Sequence, residues 1–167
     1  GFRGLRNALA LAPAAIVEAV TQSGLRGRGG AAFPTGIKWK TVLGTTAEQK
    51  YIVCNADEGD SGTFSDRMIM EGDPLVLVEG MTIAGIAVGA TRGYIYLRSE
   101  YPHAATALDE AIRAAYQGGY LGANLLGSGR HFDLEVRIGA GAYICGEETA
   151  LLESLEGRRG MVRYKPP

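Results

Sequence analysis

The sequence predicts an α/β fold, namely a three-layer domain with a mostly parallel sheet, preceded by a helix and a glycine-rich loop. Two patterns indicate this. Short apolar runs typical of buried strands alternate with longer amphipathic segments typical of helices, which is the order of a parallel sheet with helices on its faces. The 167 residues also include 25 glycines, an excess that indicates tight turns and close approach of the backbone to a ligand or between packed elements.

The part of the chain before residue 51 is expected to form a helix, a loop and a short second helix. The alanine-rich segment 5–20 predicts one helix that ends near Ser23. Segment 24–36 holds too many glycines for a regular element and therefore predicts a loop. Thr35 is expected to cap a short helix that runs through Val42.

Three strands and three further helices are expected from residue 51 onward. Asp73 and Pro74 are typical of a helix start, with aspartate at the N-cap and proline in the first turn. The expected strands are 51–54, 93–98 and 132–138, and the expected helices are 74–89, 102–116 and 147–156.

Polar or glycine-containing segments follow the three strands, at 55–65, 98–101 and 139–148. Ligands of parallel sheets bind beyond the carboxyl ends of the strands. We therefore expect a binding site at this edge, with the segment 139–148 beside the residues 55–60.

The composition argues against nucleic-acid binding and membrane insertion. The net charge is −1, the pI is about 6.2, and the sequence contains no long basic run of the kind that binds nucleic acid. The most apolar run, 74–90, includes Glu79 and is shorter than the ~20 residues that a membrane span needs. We expect this run to form a buried helix.

No metal site is expected from the residues. Cys54 and Cys145 are far apart and neither belongs to a CxxC pair, so ligation of zinc or of an iron–sulfur cluster by this chain is not predicted. Their apolar neighbours predict buried core thiols. A reduced, cytoplasmic protein is expected, although the sequence leaves a disulfide open.

The glycine-rich loop is the first candidate for ligand binding. Residues 27–32 match the GxGxxA dinucleotide fingerprint, but a helix is expected before them where the fingerprint needs a strand. Exposed backbone N–H groups with Arg28 inside the loop and Lys38 after it suit a phosphate or the edge of a flavin. The alternative is a structural turn with solvated arginines. Phe33 could stack on a base or cap the core.

Acidic side chains mark the other two candidate segments. Asp57, Glu58 and Asp60 follow the first strand, and this crowding is unfavourable unless ligand hydroxyls, N–H groups or solvent compensate it. Glu147 and Glu148 open the last helix, where the helix dipole alone favours acids. Solvated acidic residues are therefore the alternative at both places.

Three segments together resemble the signature of the NADH-oxidising flavoprotein subunit of NADH dehydrogenase and its relatives. They are 24–39, 54–58 and 139–151, and the similarity extends in register to residue 167. Within this family, the segments 57–67 and 98–103 resemble most the beta (diaphorase) subunit of NAD-dependent molybdenum formate dehydrogenases.

The resemblance implies a Rossmann-like domain that binds FMN and NAD(H) in one cavity and exchanges hydride between them. It implies that Phe33 stacks on the NAD adenine and that Glu58 and Asp60 lie toward the nicotinamide and ribose. No side chain is implied as a general acid; Glu58 and Glu148 are the nearest catalytic candidates. The residues implied to line the FMN site are Gly27, Arg28, Gly29, Gly30, Lys38, Asn55, Asp57, Tyr143, Gly146, Glu147 and Glu148.

The resemblance also bears on domain organisation and partners. Residues 1–167 are expected to be one FMN- and NAD(H)-binding domain, a fragment of a longer subunit that continues with an Asn-Asn segment completing the flavin site, a ubiquitin-like domain and a [4Fe–4S] domain. These residues alone are then expected to bind FMN weakly or not at all. Implied partners are a thioredoxin-like [2Fe–2S] subunit and the catalytic subunit of the parent complex. The alternative is a non-catalytic nucleotide-binding or assembly module.

Overall fold

The computed structural model describes residues 1–164; the last three residues of the expected domain, 165–167, lie outside the described residues. Within that range the chain forms a three-stranded sheet with the order β1-β2-β3, and both strand pairs are parallel. The strands are β1 (Tyr51–Ala56), β2 (Arg92–Leu97) and β3 (Asp133–Ile138). The predicted α/β fold with a parallel sheet is confirmed.

The helices lie before, between and after the strands. They are α1 (Arg3–Leu9), α2 (Pro13–Gln22), α3 (Thr35–Gly44), α4 (Ser65–Gly72), α5 (Pro74–Val88), α6 (Pro102–Gln117) and α7 (Glu148–Leu155). Two short 3₁₀ turns, Leu125–Gly127 and Tyr143–Gly146, precede β3 and α7.

The expected single helix over residues 5–20 is wrong, because the structure divides this segment into α1 and α2. Ala12 has an extended backbone with φ −68° and ψ 149°, and Pro13 is in the first turn of α2. A proline disfavours the helical conformation in the residue before it, so the alanine-rich run is interrupted there. Proline is tolerated at the start of the new helix because that N–H would have no intrahelical partner.

Two further helix starts differ from expectation. Thr35 is the first residue of α3 and Pro34 takes the N-cap position, so the predicted Thr35 cap is wrong. The helix α4 lies between the expected loop 55–65 and the expected helix 74–89, in a stretch for which no element was predicted. This helix is eight residues long, and Met70 is its one buried residue.

Helices cover one face of the sheet, and α7 with the turn before it covers the carboxyl-end part of the other face, which gives the three layers. Ile95 and Leu97 of β2 belong to the main core, together with residues of α5 and α6. Tyr96 points to the opposite face because side chains alternate along a strand. There it packs in a second cluster with Cys145 and Leu151 of α7. The second cluster lies at the carboxyl end of β2 and so fixes α7 near the predicted site.

Some of the glycine excess serves core packing. Phe132 is fully buried. A Cβ at Gly85 would lie 2.5 Å from the Phe132 ring, and one at Gly93 would lie 2.7 Å from it. These two glycines make room for the aromatic ring between α5 and the sheet.

Candidate functional site

A cleft of about 760 Å³ lies at the carboxyl edge of the sheet. Three loops contribute to its wall, together with the end of β1 and residues of α4 and α5. They are the glycine-rich loop (residues 25–34), the β1 loop (residues 57–64) and the β3 loop (residues 139–147). The predicted site residues found in its wall are Arg28, Gly29, Gly30, Asn55, Asp57, Glu58, Asp60, Tyr143, Gly146 and Glu147.

Direct contacts join the end of β1 and the β1 loop to the β3 loop, as the parallel sheet predicts. The Asn55 side-chain amide donates a 2.8 Å hydrogen bond to the Gly146 carbonyl. The Tyr143 hydroxyl donates one of 2.8 Å to Asp60. Gly59 lies against the Tyr143 ring, where a Cβ would come within 2.9 Å of the ring. The prediction that the two segments lie side by side is confirmed.

Glu58 is bound by the protein on both carboxylate oxygens. Its Oε1 accepts a 3.0 Å hydrogen bond from the Tyr101 hydroxyl, and its Oε2 accepts 2.8 Å and 3.3 Å bonds from the Asp66 N–H and the Ser65 hydroxyl. Phe64 at the N-cap of α4 offers no side-chain cap, so Glu58 caps this helix instead. Burial raises the pKa of Glu58, but these hydrogen bonds outweigh burial and hold the pKa below its usual range.

The cleft wall is strongly acidic. Burial raises the pKa of Asp57, and the nearby Arg98 partly offsets this. Burial and the neighbouring Glu58 raise the pKa of Asp66. Among the lining residues of the described chain, Arg28 is the one cation, against the carboxyl groups of Asp57, Glu58, Asp60, Asp66 and Glu147. An anionic group of a ligand is therefore expected to bind near Arg28, with the carboxylates facing hydrogen-bond donors.

Glu147 and the last helix form one unit. Glu147 is the N-cap of α7, and its carboxylate accepts hydrogen bonds of 2.9 Å and 3.0 Å from the N–H groups of Thr149 and Ala150. This is the stabilisation by the helix terminus that the sequence indicated for an acidic residue there. Glu147 also reaches the cleft wall, so the structural interpretation and the ligand-binding interpretation are compatible.

Some predicted site residues lie outside the cleft wall, namely Gly27, Phe33, Lys38 and Glu148. Gly27 and Phe33 pair across the glycine-rich loop through a 2.9 Å backbone hydrogen bond. The Phe33 side chain is 45% exposed, so the alternative that it caps the core is wrong. The Lys38 ammonium lies 5.7 Å from the centre of the Phe33 ring. The ligand-binding roles of these residues stay predictions.

The cysteines are free thiols. Cys145 is buried, as predicted, whereas Cys54 is half-buried and lines the cleft. Burial, with a smaller effect of Asp66, raises the pKa of Cys54 to about 12, so its thiol stays protonated at neutral pH. Within residues 1–164, no three His, Cys, Asp or Glu side chains are grouped as metal ligands. The absence of a bound metal stays a prediction.

Sequence reasoning missed several residues of the site. Arg98 and Tyr101 were placed at a strand end without a role, although the structure brings both to Glu58. The apolar part of the wall comes from α4 and α5 through Ile69, Met70 and Leu77. Recognition of α4 in the sequence would have pointed to Ile69 and Met70.

No helix of the described chain is long and apolar enough to cross a membrane.

The chain is similar to components of known redox enzymes. It is 57% identical over 167 residues to the NADP-reducing hydrogenase subunit HndC of Solidesulfovibrio fructosivorans, covering 100% of this chain and 34% of that protein. It is 52% identical over 154 residues to the mitochondrial NADH dehydrogenase [ubiquinone] flavoprotein 1 of Dictyostelium discoideum, covering 91% of this chain and 32% of that one. The chain thus spans about a third of the length of these relatives.

Solved structures and family comparison agree with the fold. The crystal structure of an NAD⁺-reducing [NiFe]-hydrogenase in the air-oxidized state matches with a TM-score of 0.80 and 44% identity, covering 93% of this chain and 25% of that chain. Residues 20–167 match the Nuo51 FMN-binding domain. This match covers far more than half of the sequence and confirms the resemblance. The chain belongs to the Nuo51 FMN-binding domain family, which is the family of the NADH dehydrogenase flavoprotein.

Proposed function

We propose that the cleft binds FMN and NAD(H) and that the chain serves hydride exchange between them, as the NADH-oxidising or NAD-reducing module of a larger redox complex. The observation that carries this proposal is the convergence of three loops on one cleft. The glycine-rich loop brings backbone N–H groups and Arg28, and the β1 and β3 loops bring carboxylates. Membership of the FMN-binding family supports the choice of flavin.

The residues of the cleft fit a nucleotide cofactor. Its volume of about 760 Å³ lies within the range of about 300–1,000 Å³ that is usual for ligand pockets. Gly29 and Gly30 line it, and a Cβ at either position would meet open space, so the backbone is accessible to a ligand there. The phosphate would bind near Arg28 and these N–H groups. The carboxylates of the β1 and β3 loops would accept hydrogen bonds from sugar hydroxyls or a ring N–H.

FMN, when bound, supplies the hydride and electron-transfer chemistry, and the protein supplies binding, orientation and electrostatics. Glu58, one of the two nearest catalytic candidates, accepts hydrogen bonds from Tyr101 and Asp66, and its pKa is lowered. It is therefore ionised at neutral pH and can orient a ligand by accepting hydrogen bonds, but it holds no proton to donate. We propose that the cleft acts by orientation and that no side chain serves as a general acid.

The test is the absorbance spectrum of the complete natural protein, followed by an assay of NADH oxidation with ferricyanide. Flavin bands with turnover support the proposal. Bound flavin or nucleotide without turnover would favour the alternative, a non-catalytic nucleotide-binding or assembly module. A protein that binds neither FMN nor NAD(H) would contradict both.

We also propose which kind of redox complex the chain belongs to. The similarity of segments 57–67 and 98–103 to formate dehydrogenase beta subunits supports a formate dehydrogenase-type complex with a thioredoxin-like [2Fe–2S] subunit and a catalytic subunit. The two free cysteines support a cytoplasmic location. The 57% identity to a component of a hydrogenase makes a hydrogenase the second candidate. Purification of the native complex and comparison of formate-dependent with hydrogen-dependent NAD⁺ reduction decides between them.

A further inference from the structure

Arg98 and Tyr101, in the segment that follows β2, both bind Glu58. One contacts its main chain and the other its side chain. The Arg98 guanidinium donates a hydrogen bond to the Glu58 carbonyl oxygen. The Tyr101 hydroxyl donates one of 3.0 Å to the Glu58 carboxylate. Since β2 is the neighbour of β1 in the sheet, these two hydrogen bonds tie the β1 loop to the segment that follows β2. They therefore act as anchors that fix the position of the β1 loop at the cleft.

The two anchors are themselves held in place. Tyr101 is only 8% exposed. The guanidinium carbon of Arg98 lies 5.0 Å from the centre of its ring, and that of Arg67 lies 5.7 Å from it. Cation–π contacts at these distances are attractive. Arg98 also pairs with Glu100 at 3.2 Å. The Tyr101 hydroxyl is therefore presented to Glu58 in one orientation.

The β1 loop has few contacts of its own. Its internal hydrogen bonds run from the N–H and the hydroxyl of Thr63 to the Asp60 carbonyl. Gly62 has a φ of 83°, in the region where glycine is favoured over other residues. The position of the loop therefore depends on anchors outside it. These are Arg98 and Tyr101 at Glu58, Tyr143 at Asp60, and the start of α4, where Ser65 and Asp66 bond the Glu58 carboxylate.

We propose that Arg98 and Tyr101 are positioning residues of the cleft, which act through Glu58 to hold the β1 loop in the geometry that binds NAD(H). The inference rests on the proposed function and goes beyond it by naming residues that set the affinity for the pyridine nucleotide without touching it. Removal of the Tyr101 hydroxyl leaves Oε1 of Glu58 without this donor, so Glu58 and the β1 loop are held less tightly, by Arg98, Ser65 and Asp66.

The test uses the complete natural protein and compares Tyr101→Phe with Tyr116→Phe. Tyr116 also bonds a carboxylate, with its hydroxyl donating a 3.0 Å hydrogen bond to Asp133, but at the opposite end of the sheet. Loss of a hydrogen bond to a charged group is expected to raise the KM for NADH about tenfold in Tyr101→Phe. The flavin content is expected to stay that of the wild type, and Tyr116→Phe is expected to leave the KM unchanged.

A double variant separates positioning from a general loss of structure. If Tyr101 acts through Glu58, Tyr101→Phe combined with Glu58→Ala, which removes the acceptor, should raise the KM no further than Glu58→Ala alone. The inference would be overturned if the KM of the double variant rose by the product of the two single increases. It would also be overturned if Tyr101→Phe had a lower melting temperature and an unchanged KM. A wild-type protein without flavin and without NADH turnover would overturn the proposed function instead, so the two failures are distinguishable.

Discussion

The Tyr143 hydroxyl donates a hydrogen bond of 2.8 Å to the Asp60 carboxylate and so links the β3 loop to the β1 loop across the cleft. The Tyr143 side chain is otherwise 70% exposed. The hydrogen bond to Asp60 raises the pKa of Tyr143, so the phenol stays protonated as the donor. This contact holds the two loops together at the cleft wall.

Removal of this hydroxyl is expected to affect binding more than folding. In Tyr143→Phe the two loops lose this hydrogen bond. The affinity for NAD(H) should fall several-fold, which corresponds to the net free energy of one hydrogen bond. The change in the free energy of unfolding should stay within about 0.5 kcal/mol because the side chain is exposed. Titration with NADH and a urea melt measure the two effects. Tyr164→Phe, at a residue that is 90% exposed, is the control.

Lys38 is predicted to contribute to cofactor binding although it lies outside the cleft wall. Its side chain is exposed on α3 and meets the Phe33 ring at 5.7 Å. Lys38→Ala should therefore cost little stability but should weaken FMN or NAD(H) binding about tenfold, as expected for loss of a charged donor. Lys40→Ala on the same helix is the matched control. Equal affinities of the two variants and the wild type would show that Lys38 has no role in the site.

The packing of Phe132 predicts a stability effect far from the cleft. A Cβ at Gly93 would lie 2.7 Å from the Phe132 ring and 3.0 Å from Leu134, and both neighbours are buried. Gly93→Ala should lower the free energy of unfolding by about 1–3 kcal/mol through overpacking. Gly44→Ala adds a methyl group in open space and should not destabilise the protein. Urea melts that show no difference between the two variants would contradict the packing described for Phe132.

Glu58 is expected to stabilise the fold only where it is ionised. Burial raises its pKa, but the hydrogen bonds from Asp66, Tyr101, Arg67 and Ser65 outweigh burial and lower the pKa below the ordinary value of 4.5. A lowered pKa gives stability that is present above the ordinary value and is lost as the pH falls through the lowered value. The difference in unfolding free energy between wild type and Glu58→Gln should shrink as the pH falls below 4.5. A difference that grows on acidification would contradict this.

The sequence predicted the sheet and the edge where the cleft lies, because each apolar strand is followed by a polar segment and parallel strands end at one edge. It did not predict the helix break before Pro13. The alanine-rich pattern favours one continuous helix, and this outweighed the preference of the residue before a proline for an extended backbone. The orientation of α3, which carries Lys38 away from the cleft wall, depends on packing: Gly36 lies so close to Thr21 of α2 that a Cβ there would approach the Thr21 hydroxyl to 2.3 Å.

The sequence also did not predict the capping of α4 by Glu58, because the N–H of Asp66 and the hydroxyl of Ser65 belong to a helix that was not predicted. An acidic residue after a strand could face a ligand, solvent or another helix. Only the three-dimensional structure distinguishes these possibilities.

The most direct measurement is a fluorescence titration of FMN into the complete natural protein and two glycine variants. Gly29 lines the cleft and has open space around it, so Gly29→Leu places a side chain in the cleft without a clash in the fold. Gly44→Leu adds the same side chain in open space elsewhere. We expect one FMN to bind per wild-type chain, with the affinity kept in Gly44→Leu and reduced at least about tenfold in Gly29→Leu, because the added side chain occupies the volume of the ligand. Equal FMN affinity of Gly29→Leu and the wild type, or no FMN binding by the wild type, would contradict the assignment of this cleft as the flavin site.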